Sequence, residues 1–186
     1  MTRFVGAVLG PLIVLIISAA FTGEIFAVGD AQPTAANPAV ISFVAELQKK
    51  AAQGNGRAEY LLGCFYNGEE GLPQDSIEAA KWWEKAAAGG VADAQYCIGL
   101  SYYLGQGVPK DAEKAAKWWG KAAGQDHAAA QYFLGISYRS GYGVPKNAPL
   151  AAYWLKKAAG NGNAAARRAL GGPTGPGLEA GPASPR

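Results

Sequence analysis

Few residues in this 186-residue chain have the type and spacing that chemistry needs. A serine nucleophile paired with a lysine base on one helical turn requires Ser-x-x-Lys, and no serine here has lysine three residues later. The single histidine, His127, has no second histidine to build a metal site and no nucleophile beside it for a triad. At its place in a sequence that repeats, other units carry Val91 and Asn163, so it reads as a solvated loop residue. Gly-x-Gly occurs in loops, but without a following Lys-Ser/Thr it cradles no phosphate. Catalysis, metals and cofactors therefore find no support. Cys64 and Cys97 are the remaining reactive pair. In an oxidising compartment they either form a disulfide, if their Cβ atoms face one another across neighbouring helices, or stand as two buried thiols.

Net charge is +3, and no dense Lys/Arg run marks a nucleic-acid surface. The first residues are of another kind. Arg3 precedes an apolar run from Phe4 to Ala20, with no charge until Glu24. A basic start, an apolar stretch and small residues form the pattern of a secretory signal over residues 1–29. Both Ser18-Ala19-Ala20 and Ala27-Val28-Gly29 meet the small-residue requirement for cleavage. An uncleaved anchor is the alternative, which would make the chain a membrane-bound scaffold; Gly6, Gly10 and Pro11 weaken it as a spanning helix. Any membrane contact is thus expected only through this segment, with the mature chain periplasmic or secreted. Residues 30–39 form a short leader. Residues 171–186, rich in Gly and Pro, have no apolar periodicity and read as a disordered tail.

Between these ends the chain repeats every 36 residues. Ala58-Glu59-Tyr60-Leu61-Leu62-Gly63 returns as Ala94-Gln95-Tyr96-Cys97-Ile98-Gly99 and Ala130-Gln131-Tyr132-Phe133-Leu134-Gly135. Ala79-Ala80-Lys81-Trp82-Trp83 returns as Ala115-Ala116-Lys117-Trp118-Trp119 and, more loosely, as Ala151-Ala152-Tyr153-Trp154-Leu155. A fixed period of this size means stacked supersecondary units sharing one core. The repeats are placed at 58–93, 94–129 and 130–165, after a half unit at 40–57 and before a capping helix at 164–170.

Each unit reads as two helices. In the second, apolar residues at helical spacing predict a first helix over 93–104. Gly105-Gln106-Gly107-Val108-Pro109 breaks it. Asp111 then caps a second helix over 111–123, with Asp75 and Asn147 at the same position and Asp75 with Glu78 as an expected capping box. Ala115, Trp119 and Ala122 share one helical face, as do Ala79, Trp83, Ala86 and Ala151, Leu155, Ala158; these are the expected core. Tyr60, Tyr96, Tyr132 and Tyr66, Tyr102, Tyr138 form two tyrosine ladders, at least one of them structural. About eight helices are predicted in an all-α array.

Ala-x-x-x-Leu-Gly-x-x-Tyr, Gly-x-Gly-Val-Pro-Lys-Asp and Ala-Ala-x-Trp-Trp-x-Lys-Ala-Ala resemble the Sel1-like repeat, a relative of the tetratricopeptide repeat. The resemblance covers residues 40–170. It implies a right-handed α-solenoid of antiparallel helix pairs whose first helices line a concave, protein-binding surface. The groove residues it implies are Arg57, Tyr60, Cys64, Asn67, Asp93, Tyr96, Leu100, Tyr103, Ala129, Tyr132, Ile136 and Arg139. Asn67, Tyr103 and Arg139 share one repeat position yet differ in chemistry, as do Arg57, Asp93 and Ala129, which suits recognition better than core packing. The resemblance implies a bacterial adaptor for a protein or peptide partner, in envelope signalling or host interaction. It also raises a cell-wall or β-lactam hydrolase as an alternative, since some cysteine-rich members are described as β-lactamase-like. The family's usual disulfides join two helices of one unit, a spacing that Cys64 and Cys97 do not reproduce.

Overall fold

The computed structural model describes residues 38–68 and 73–171, and these form eight helices with no strand among them. The expected signal segment, most of the leader, the first-unit loop at 69–72 and the tail from residue 172 lie outside them. In chain order the helices are α1 (Pro38–Ala52), α2 (Gly56–Tyr66), α3 (Ser76–Ala88), α4 (Ala92–Leu104), α5 (Ala112–Gly124), α6 (Ala128–Ser140), α7 (Ala148–Gly160) and α8 (Ala164–Ala169). Each packs chiefly on the helix before and the helix after it. Thus α2/α3, α4/α5 and α6/α7 are three helix pairs, α1 is a second helix without its first, and α8 is a first helix without its second.

The repeated core faces are buried as their spacing requires. Ala79, Ala86, Ala115, Ala122 and Ala158 are fully enclosed, and Trp83, Trp119 and Leu155 fill the space between the helices of a pair. Small residues on the first helix make this approach available. A Cβ on Gly99 would lie 2.6 Å from Cδ1 and Nε1 of Trp119. Gly63 meets Trp83 in the same way, and Gly135 meets Leu155. The second glycine of each described loop serves the contact between units. Gly107 has φ 72°, and a side chain there would strike the carbonyl of Ser76 in the preceding unit; Gly143 abuts the Ala112 carbonyl likewise.

Helix starts follow local chemistry. Asp75, Asp111 and Asn147 cap α3, α5 and α7 through side-chain oxygens that accept backbone N–H bonds. The capping box at Asp75 is only half made. Asp75 Oδ1 accepts from Glu78 N at 3.0 Å, but the Asp75 N–H donates to the Tyr66 carbonyl at 2.7 Å and Glu78 turns to Lys81 at 3.0 Å. The same backbone bond recurs as Asp111 N–H to Tyr102 and Asn147 N–H to Tyr138, so the closed loop removes the donor a capping box would use.

One element of the architecture was not anticipated from sequence. Position 59/95/131 of the repeat is polar and buried. Gln95 Nε2 donates to the Ala87 carbonyl at the end of α3 (3.1 Å), while Gln125, just past α5, donates to Gln95 Oε1 at 2.8 Å. One unit later, Gln131 donates to the Ala123 carbonyl at 3.1 Å and accepts from Asn161 at 2.9 Å. These amides add a second hydrogen bond to helix-terminal carbonyls that already accept from the Gly90 and Asp126 N–H groups, and they tie three successive helices together. In the first unit Glu59 pairs with Lys85 at 2.9 Å instead.

Candidate protein-binding groove

The first helices α2, α4 and α6 repeat at one spacing, so their outward positions form rows that run across the units. One row begins with Arg57, whose guanidinium is 2.8 Å from Asp93 of the next unit and 5.1 Å over the Tyr60 ring. Asp93 continues to His127, the residue just before α6, with 3.4 Å from Oδ1 to Nε2. His127 is not a solvated loop residue. Its side chain is 18% exposed, its ring stacks on Tyr96 at 4.8 Å, and its Nδ1 accepts the Ala130 N–H at 3.1 Å as the cap of α6. With Nδ1 accepting, Nε2 is the ring nitrogen that faces Asp93. The sequence signal was its position: Asn55 and Asn163 cap α2 and α8 from the same repeat place.

The second row is aromatic. Tyr60, Tyr96 and Tyr132 are each half-buried. Burial is the main cause of the raised pKa of the Tyr60 hydroxyl, followed by its hydrogen bond with Cys64, with the negative charge of Asp93 a smaller cause. Burial and then Cys97 raise Tyr96 in the same way. Cys64 and Cys97 are thus gathered around one phenol as thiols, and Cys64, only 7% exposed, belongs to the core rather than to an open lining.

Leu100 and Ile136 are half-exposed and continue the apolar floor, with Ala129 beside it. Tyr103 stands at the edge, 36% exposed, with its ring 5.1 Å from Tyr142 and 5.7 Å from Trp119, and Lys110 5.8 Å above it. Asn67, at the matching place in the first unit, follows the helix as its C-cap. Arg139, the third member, is exposed. The other tyrosine ladder is structural: Tyr102 is buried, bonds Glu84 through its hydroxyl at 3.2 Å and lies under Lys114. Chemically, the first-helix face offers half-buried phenols, aliphatic side chains and charges of varied sign, which is the equipment of recognition. No cluster of three or more metal-ligating side chains exists among the described residues, and no described helix is long and apolar enough to cross a membrane.

The Sel1 repeat pattern matches residues 56–91, 92–127 and 128–163, more than half of the chain, so the chain belongs to the Sel1 repeat family. These windows open two residues before the units at 58, 94 and 130 and coincide with the starts of α2, α4 and α6. A Sel1 repeat protein from Oxalobacter formigenes is 36% identical over 70% of this chain and 54% of its own length, with a TM-score of 0.66. A protective antigen of uropathogenic Escherichia coli with the same repeat fold is 32% identical over 87% of this chain and 32% of its own, with a TM-score of 0.67. Cysteine-rich protein B of Helicobacter pylori is 26% identical over 66% of this chain and 93% of its own, with a TM-score of 0.51. The chain therefore spans about half or less of the first two structures. No curated protein matches it. The fold is an all-helical solenoid of the Sel1 type, and such repeats are generally protein-interaction scaffolds.

Proposed function

We propose that this chain is an exported adaptor that receives a segment of a partner protein along its first-helix face. One observation carries the reading: the core positions repeat from unit to unit, while the outward positions Arg57/Asp93/Ala129 and Asn67/Tyr103/Arg139 change chemistry around a constant, half-buried tyrosine row. A surface that only had to stay soluble would need neither the aromatic row nor its register. The resemblance to tetratricopeptide grooves supports reading this face as the concave one. Export rests on the basic, apolar and small-residue order of residues 1–29. An envelope or host-directed role is the setting we propose for it.

Affinity capture from an envelope extract tests the reading, with wild type beside a Tyr103→Ala/Arg139→Ala variant of matching helicity. A protein held by wild type and lost by the variant is the expected result; equal capture by both would move the site to another face. The mass of the mature amino terminus tests export. Loss of the first residues up to one of the two small-residue sites is expected, and an intact Met1 would contradict it.

A further inference from the structure

Charge is distributed unevenly along the solenoid. From Ala128 to Gly171 there is no aspartate or glutamate, whereas Arg139, Lys146, Lys156, Lys157, Arg167 and Arg168 are all cationic. Lys157 reaches back to Asp126 at 2.8 Å, and Arg167 donates to the Gly162 carbonyl at 3.3 Å. Arg139 and Arg168 are exposed, and among the described residues neither has an ion pair or an aromatic partner. Both occupy first-helix positions. Arg139 stands 36 residues after Tyr103, and Arg168 stands 36 residues after Tyr132, so it ends the tyrosine row with a cation. Tyr132 and Ile136, on the same helix as Arg139, pack against the small core that α8, which carries Arg168, closes with Ala166. At the other end of the same face the charges are already answered, Arg57 by Asp93 and Asp93 in turn by His127.

We propose that the third-unit end of the first-helix face binds a carboxylate-rich segment of a partner protein, with Arg139 and Arg168 as its anion contacts. The proposal rests on the interaction face argued above and adds its chemistry and polarity. An unpaired guanidinium presents a planar fork that matches a carboxylate in two parallel hydrogen bonds. A partner segment laid along the rows meets a neutralised first unit and a cationic third unit, so charge fixes which way it runs. Two arginines flanking an apolar, phenolic floor favour a peptide over a nucleic acid, whose binding strength comes from many phosphate contacts.

The test measures binding of fluorescein-labelled hexaglutamate to the full chain at low salt, with hexalysine, single-stranded DNA and phosphatidylserine vesicles alongside. Hexaglutamate binding that weakens by about tenfold or more in Arg139→Glu/Arg168→Glu is expected. Lys117→Glu/Lys156→Glu makes the same charge change on the second helices and is expected to stay within about twofold of wild type. No binding of hexaglutamate, equal loss in both variants, or tighter binding of DNA or vesicles would overturn the proposal. Failure here, alongside protein capture that is still lost in a Tyr103→Ala single variant, removes the acidic chemistry and leaves the interaction face. Failure of both removes the face itself.

Discussion

Trp119 lies edge-on against the backbone of Gly99, with the indole Cδ1 and Nε1 each 2.6 Å from where a Cβ would stand. That contact joins the two helices of the second unit, and it couples onward, because Trp119 also stacks on Phe133 of the third unit at 4.9 Å. Among the described residues no side chain or carbonyl accepts from the buried indole N–H.

Gly99→Ala should therefore destabilise the chain although alanine is the better helix former. Overpacking of about 1–3 kcal/mol outweighs a propensity gain of about 1 kcal/mol. Trp119→Leu, which reproduces the Gly135–Leu155 pair of the third unit, should recover part of the Gly99→Ala loss. Chemical denaturation of both single variants and the double variant measures this coupling. Additive effects would show that the glycine and the indole do not constrain one another.

Gln131→Leu should cost about 1–3 kcal/mol, since it removes, from a fully enclosed position, the amide that bonds the Ala123 carbonyl and Asp126 and receives the Asn161 amide. Asn161→Ala alone should cost less, because Asn161 is exposed. Equal unfolding midpoints for Gln131→Leu and wild type would mean that the amide clasp contributes nothing.

Alkaline pH should unfold the chain. Burial, as the largest cause, raises the pKa values of Tyr60, Tyr66, Tyr96, Tyr102 and Tyr142. With folded values above the unfolded value of about 10, their stability contribution is complete below that pH and is lost as pH rises through the folded values. Denaturation midpoints should fall across that window, less steeply in Tyr60→Phe/Tyr96→Phe. Free titration of all phenols near the ordinary value, with no change in midpoint, would contradict it.

What could be read in the sequence was whatever the period repeats. Ala115, Trp119 and Ala122 declare a buried face by spacing alone, and three copies in register define the solenoid and its helix pairs. What could not be read depended on pairs brought together by the superhelix. Gln125 meets Gln95, and Asp93 meets both Arg57 and His127, at separations of about one repeat. His127 looked like a solvated loop residue because nothing in its own segment encloses it; Tyr96, on the preceding first helix α4, does. Cys64 falls on an outward-facing spacing, yet it is buried in the main core, against which Tyr60 packs. Among groove candidates, the half-exposed Tyr96, Tyr132, Leu100 and Ile136 share the face on which Arg57 meets Asp93 and, beyond it, Arg139 stands exposed.

The central claim is that partners dock on the first-helix face. Its most direct measurement is photo-crosslinking from single positions of the full chain in its native extract, with the reactive group at Tyr96 or Tyr132 on that face and at Lys117 on a second helix. One partner crosslinked from Tyr96 and Tyr132 but not from Lys117 is the predicted result. The same partner crosslinked from Lys117 alone would contradict the claim and place recognition on the second helices.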